Sequence, residues 1–352
     1  MKLIGKINIE RVVVKRSRSS FMIEGPADAS LLSLMSRLIL GLLTLILLVS
    51  TAAARTIATA QIGHGLSLNY YVSAPPGSPA RHILIVMHGY TRDANRTFDA
   101  AARQVGSTAH PTDTLIVAPL FQVPATDSAK CSFPGIPAPT ATNALWHCGD
   151  WSAGKPALNG TLTSFQAIDR LIGDLIQIYP EARSITIAGF SAGGQFVQHY
   201  IGFARPPSAS ISIRYVVSDP SAFLYFGPSR PMPGRGTCPS YNDWKFGTDH
   251  MPANLGRRAG AARAFYAKAD VTYLEGSLDS GKGRGTAYKF LERNCSAEVQ
   301  GPYRLERGIF YAAYDKARLA HGAHRLIIVP GCAHKVTCVF ESPVARAALL
   351  GG

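Results

Sequence analysis

Apolar residues along the chain fall into short continuous runs separated by amphipathic segments, the alternation expected of a mostly parallel sheet covered by helices. Residues 83–87 (Ile-Leu-Ile-Val-Met) form one such run, ending at His88-Gly89, and read as a strand buried on both faces. A helix over 95–104 and another apolar strand at 115–118 follow. Upstream, 66–72 alternates as Leu-Ser-Leu-Asn-Tyr-Tyr-Val, which predicts a half-exposed strand near the start of the sheet. Phe165, Ile168, Leu171, Ile172, Leu175 and Ile176 recur with helical period across 162–178, and Tyr179-Pro180 closes that helix. Further strands are predicted at 213–217, 271–274 and 326–329, with a helix near 307–319 and a short one toward Leu350.

Two stretches lack a period. Residues 121–160 are rich in Pro, Ala and Trp, and a long irregular segment inside a domain is expected to act as a lid or pocket wall. Residues 219–270 read as an irregular excursion holding Cys238 and Trp244. There is no internal repeat and no Ser/Gly-rich linker, so the pattern predicts a single α/β domain over 55–352, its central sheet carrying helices on both faces.

The first 54 residues differ. Arg37 precedes an apolar run over 38–49, then Ser50-Thr51-Ala52-Ala53-Ala54 supplies small residues where a signal peptidase cuts. At about 1.5 Å per residue that run is too short for a hydrocarbon core of about 30 Å. The alternative, an anchor extended back through 31–35, would bury Arg37. The expectation is an N-terminal extension and signal peptide over 1–54, with translation starting at Met35, and a secreted or periplasmic product with no stable membrane span after processing. Six cysteines suit an oxidising compartment. Proximity favours Cys131 with Cys148 and Cys332 with Cys338, leaving Cys238 with Cys295, although six cysteines allow fifteen connectivities and some can be free buried thiols.

The net charge of +14 stays strongly basic beyond the leader: residues 55–352 hold 29 Lys/Arg against 19 Asp/Glu. The basic residues, Arg304 and Arg307 among them, are scattered without a recognition helix, which reads as solvated surface charge and argues against a nucleic-acid partner. No CxxC or HExxH spacing occurs, so no metal site is expected. The glycines at 281, 283 and 285 do not lie between a strand and a phosphate-binding helix, and no cofactor is expected.

Residues 185–195 carry the strongest chemical signal. A short apolar strand runs into Gly189-Phe190-Ser191-Ala192-Gly193, the GxSxG pattern of a nucleophile on a sharp strand-to-helix turn. A serine hydroxyl needs a base, and the base needs an acid to hold its tautomer. In a parallel sheet the loops after the strands converge on one edge, so these partners are sought after later strands. His334 follows the last strand in Pro-Gly-Cys-Ala-His and is the candidate base, ahead of His321, His324 and His250. Asp279 follows the 271–274 strand and is the candidate acid, with Asp219 and Glu275 as competitors. A Cys332–Cys338 bridge would restrict the His334 loop.

The order Ser, Asp, His, each after its own strand, resembles the α/β-hydrolase superfamily from about Leu66 to Leu350. More narrowly, His88-Gly89-Tyr90, the segment from Trp146 to Trp151, Gly189 to Gln195, and Asn294-Cys295 through Gly301 and Arg304 look distantly similar to secreted polyester depolymerases and feruloyl esterases. The resemblance implies that the backbone N–H groups of Tyr90 and Ala192 form an oxyanion hole; His88, at the end of its strand, reads as a packed structural histidine. Trp146, Trp151, Phe121 and Tyr90 are read either as an apolar substrate pocket or as packing of the loop to the body. The functional expectation is a serine hydrolase cleaving a small or polymeric carboxylic ester through an acyl-enzyme. The alternatives are a peptidase or acyltransferase with the same triad, or a non-catalytic binding protein of that fold.

Overall fold

The computed structural model describes residues 55–351 except 206, 208, 209 and 233–237. The expected leader over 1–54 and the Met35 start lie outside the described residues. The strands are β1 (Thr56–Gly63), β2 (Leu66–Val72), β3 (His82–Met87), β4 (Thr114–Leu120), β5 (Ser184–Phe190), β6 (Ser212–Ser218), β7 (Asp270–Gly276) and β8 (Arg325–Val329). Among the described residues they form one sheet in the order β1-β2-β4-β3-β5-β6-β7-β8. The β1–β2 and β2–β4 pairings are antiparallel, and every pairing from β4 to β8 is parallel.

The main helices are α1 (Ala94–Gly106), α2 (Ser164–Ile178), α3 (Ala192–Ile201), α4 (Ala259–Ala267), α5 (Arg304–Arg318), α6 (Val336–Glu341) and α7 (Arg346–Leu350). Each face of the sheet has its own core. Residues of α2 to α5 pack on one, and those of α1, α6 and α7 on the other. The continuous apolar run of β3 follows from this sandwich: Ile83, Ile85 and Met87 enter the first core, Leu84 and Val86 the second, and all are buried. Full burial of each such side chain contributes about 1.5–3 kcal/mol. Helix α2 starts where the sequence supplies a capping box, Thr163 Oγ1 accepting from Gln166 N at 3.1 Å while Gln166 Oε1 accepts from Thr163 N at 2.9 Å.

From β3 the chain steps to β4 on one side, then crosses to β5 on the other side of β3. That reversal opens a crevice beyond the carboxyl ends of β3 and β5.

Three expectations are corrected, and one strand was missed. Strand β2 is buried along its whole length, not half-exposed. Its polar Ser67 and Asn69 are covered by the 140s loop: Ser67 N donates to Thr142 O at 2.8 Å, and Asn69 and Asn143 bond reciprocally at 3.2 Å. β1, built from small residues on the sheet edge, was not expected. The 219–270 excursion contains α4, whose pattern is faint because only Ala262 and Tyr266 are buried. Arg304 and Arg307 are not solvated; both are at most 1% exposed.

The 121–160 segment is mostly irregular and firmly tied. Cys131–Cys148 closes it, Arg92 Nε donates to Cys131 O at 3.0 Å, and Asn95 Nδ2 donates to Pro134 O at 2.9 Å. Cys332–Cys338, the second pair that proximity favoured, and the remaining Cys238–Cys295 complete the disulfides. Among the described residues no helix is long and apolar enough to cross a membrane.

Candidate active site

Ser191 stands between β5 and α3 with φ 60° and ψ −120°, a backbone state that costs a non-glycine residue about 1–3 kcal/mol. The turn holds because Ser191 N donates to Ser218 O and Gln195 N to Ser191 O, each at 2.9 Å. The flanking glycines answer to close packing. A Cβ on Gly189 would collide with the Gly193 carbonyl, and one on Gly193 with the Met87 carbonyl of β3.

His334 lies in the loop after β8, bracketed by the Cys332–Cys338 bond and tied through its own N–H to Gly285 O at 3.0 Å. Its ring packs on Phe190 with centroids 4.7 Å apart. Ser191 Oγ donates to His334 Nε2 at 2.8 Å, and His334 Nδ1 donates to Asp279 Oδ2 at 2.6 Å. The loops that carry Asp279 and His334 are stitched together: Leu278 N reaches Cys332 O at 2.8 Å, and Ser277 N reaches Val329 O at 2.9 Å.

The other acids take different partners. Asp219 Oδ1 accepts from Gly276 N and Oδ2 from Ser218 Oγ, each at 2.8 Å. Glu275 is wholly buried beneath α5, where a Cβ on Gly308 would collide with its carboxyl. Burial raises the Asp279 carboxyl to about 7, opposed by Arg304, whose Nη1 lies 3.6 Å from Oδ1. Burial and the neighbouring Asp279 charge raise Asp219 to about 7. Glu275 is pushed well up by burial and by both aspartates. Burial, reinforced by Arg304, pushes the His334 imidazole well down, so the ring is neutral and able to accept a proton. Of the other histidines, His324 bonds Asp315 Oδ2 at 2.7 Å and Ala269 O at 2.9 Å, and His250 bonds Asp243 at 2.9 Å. His321 is an exposed turn residue.

Pairing of Met87 with Gly189 sets the His88-Gly89-Tyr90 segment beside the serine. Gly89 is fixed through its N–H to Asp93 Oδ1 at 3.0 Å and through its carbonyl, which accepts from Arg92 N at 3.0 Å and His88 Nδ1 at 2.8 Å. His88 Nε2 accepts from Phe121 N at 3.2 Å, and burial pushes the ring down to about 3, so it stays neutral. Among the described residues neither the Tyr90 nor the Ala192 N–H has an acceptor. Both belong to residues lining a cleft of 460 Å³ that reaches Ser191.

The aromatic lining of that cleft corrects the sequence reading. Trp146 and Trp151 are wholly buried and do not face it. Trp151 stacks on Phe121 at 4.8 Å and meets His88 edge-on at 4.6 Å; Trp146 packs edge-on to Phe121 at 5.2 Å. Bulky apolar rings reach zero exposure here because they brace the wall behind the Gly89 segment. Phe121 is likewise buried, whereas Tyr90 lines the cleft as read, together with Trp244, Phe246 and Phe290.

No family model and no curated protein matches the chain. Solved structures do. A poly(aspartic acid) hydrolase from Sphingomonas sp. KT-1 superposes with a TM-score of 0.59 at 20% identity, covering 84% of this chain and 98% of that one. A poly(3-hydroxybutyrate) depolymerase from Bordetella parapertussis gives 0.56 at 20% identity, covering 85% and 89%. The chain has the α/β-hydrolase fold.

Within this fold, Ser191, Asp279 and His334 follow three different strands and meet at the carboxyl edge of the sheet. Sequence reasoning missed Trp244, Phe246 and Phe290 as cleft residues, and Arg304 as the cation beside Asp279. Trp244, the one tryptophan left over, was the available signal for the first. The resemblance includes Arg304 but no local signal gives it a role, since its burial depends on α5 packing over the Asp279 loop.

Proposed function

We propose that the chain is a serine hydrolase cleaving carboxylic esters through an acyl-enzyme. The observation that carries this reading is the hydrogen-bonded series Ser191–His334–Asp279, at 2.8 and 2.6 Å, opening on a cleft of 460 Å³. Ser191 Oγ attacks the acyl carbon as its proton passes to His334 Nε2. Asp279 holds Nδ1–H, fixing the tautomer and stabilising the imidazolium. The Tyr90 and Ala192 N–H groups bind the oxyanion, a contribution of about 3–4 kcal/mol per donor in comparable sites. His334 then protonates the leaving alkoxide, and water activated by the same nitrogen releases the acid.

Two structures of this fold come from a poly(aspartic acid) hydrolase and a poly(3-hydroxybutyrate) depolymerase, and we extend to this chain a small or polymeric ester as substrate. Residues 55–352 are the proposed catalytic domain and 1–54 its export leader. Three disulfides suit a secreted or periplasmic site of action. A fluorophosphonate should label the wild type at Ser191, and p-nitrophenyl esters should be cleaved faster than aminoacyl p-nitroanilides. Equal labelling of Ser191→Ala would refute the nucleophile; preference for the anilides would make the protein a peptidase.

A further inference from the structure

The two edges of the sheet are finished differently. At one edge β1 is built largely from Thr, Ala and Gln, exposes a single large apolar side chain, Ile57, and is broken by a bulge between Gln61 and Gly63, a device that discourages pairing with another sheet. At the other edge β8 reads Arg-Leu-Ile-Ile-Val. Among the described residues Leu326, Ile327 and Ile328 pair with β7 alone, so their outward backbone groups have no partner. Leu326 and Ile328 on β8, Ile309 on α5 and Val344 in the Pro343–Ala345 turn that packs against β8 are each 37–43% exposed. The register explains this. Leu326 pairs with Tyr273 and Ile328 with Glu275, which puts both on the face that α5 covers. Yet α5 is centred over β7, with Gly308 against the Glu275 carboxyl and Asp315 Oδ2 accepting from Tyr273 Oη at 2.9 Å, and leaves the two β8 side chains open beside it.

We infer that β8 is a dimer interface: a second copy of the chain adds its own β8 antiparallel, about a two-fold axis through Ile327, and joins the two sheets. The occupant is a second copy because the strand is complementary to itself. The axis sets Leu326 of each copy opposite Ile328 of the other, an apolar cross-strand pair on the α5 face. Being normal to the sheet, it keeps the faces, so the two Ile309 side chains flank the seam on one side and the two Val344 side chains on the other. Arg325, the one charge on the strand, has Asp270 of its own chain at 3.5 Å and falls opposite Val329, about 13 Å along the strand from its copy. Like charges on the strands therefore do not meet. Five residues of strand span about 17 Å, and helix, strand and turn side by side about 30 Å, so the pair buries about 1,000 Å², enough for a specific interface of the small class. Antiparallel strands point the two carboxyl edges in opposite directions, which leaves both clefts open.

Sedimentation velocity of the purified full chain tests the inference, whatever reaction the cleft performs. Wild type should dimerise with a Kd of about 10 µM, the weak affinity of a small interface. Leu326→Lys and Ile328→Lys each bring an ammonium onto an apolar partner at the seam and should weaken association by about tenfold or more. Both sites are already part exposed, so each variant should still melt cooperatively in circular dichroism, and either one serves if the other does not fold. The register has its own readout. Ile327→Cys lies on the axis and should give a covalent dimer under mild oxidation, whereas Ile57→Cys on the opposite edge should not. A wild type that stays monomeric at about 100 µM would overturn the inference. So would a dimer that both lysine variants leave intact, which would be held by residues 1–54 or by another surface.

Discussion

Asp219 and Asp279 follow neighbouring parallel strands, are both buried, and are both raised to about 7, yet their partners differ. Asp279 holds the imidazole of His334. Asp219 accepts from Gly276 N and Ser218 Oγ, and so braces the loop that carries Asp279. Position after a strand and a perturbed carboxyl are shared, so neither separates the two; the hydrogen-bond partner does, and it makes Asp279 the proposed acid. The aromatic residues divide in the same way. Phe290 faces the cleft at 39% exposure, whereas Trp151 is wholly buried behind it.

Substituting both aspartates gives the largest expected contrast. Asp279→Asn should lower kcat by about 10⁴-fold by stabilising the wrong imidazole tautomer. Asp219→Asn can keep both of its bonds, since Oδ1 still accepts from Gly276 N and the amide can donate to Ser218 Oγ, and should change kcat by less than about tenfold. Steady-state kinetics on one ester decide it; equal losses would erase the distinction. Next in size, Trp151→Ala should destabilise the fold by about 3–5 kcal/mol in denaturant unfolding, while Phe290→Ala leaves stability unchanged and raises KM severalfold.

The electrostatic version of the comparison is read from pH. The proposed mechanism needs an ionised Asp279 and a neutral His334, so kcat/KM should fall as pH drops through about 7, the value to which burial raises the carboxyl. Arg304 favours the carboxylate and disfavours the imidazolium. Removing its charge raises the affinity of both groups for a proton, so Arg304→Met should shift the acidic limb upward by about one pH unit. A shift downward would contradict the assigned electrostatics. The smallest effect belongs to Cys332→Ser, which frees the loop around His334. A severalfold drop in kcat is expected, and an unchanged kcat would leave the bridge only a stabilising role.

How much could be read beforehand follows the range of the interactions involved. Runs such as 83–87 are local and forced by burial on both faces, and the turn at Ser191 announces itself through glycines that neighbouring carbonyls require. Order along the chain placed Asp279 and His334 after strands, and a parallel sheet gathers such loops at one edge. β1 and α4 escaped because small residues with few buried positions leave a faint period. The two tryptophans and Arg304 escaped for another reason: whether such a side chain faces a cleft, a core or solvent depends on segments far away in sequence. Phe121 and His88 cover Trp151, while Asp279 and the Thr286 carbonyl receive Arg304.

The central claim is that Asp279, and not Asp219, holds the base. Proton NMR of the strongly deshielded Nδ1–H of His334 tests it most directly. The account predicts a low-field resonance that persists in Asp219→Asn and disappears in Asp279→Asn. Persistence in Asp279→Asn with loss in Asp219→Asn would contradict it.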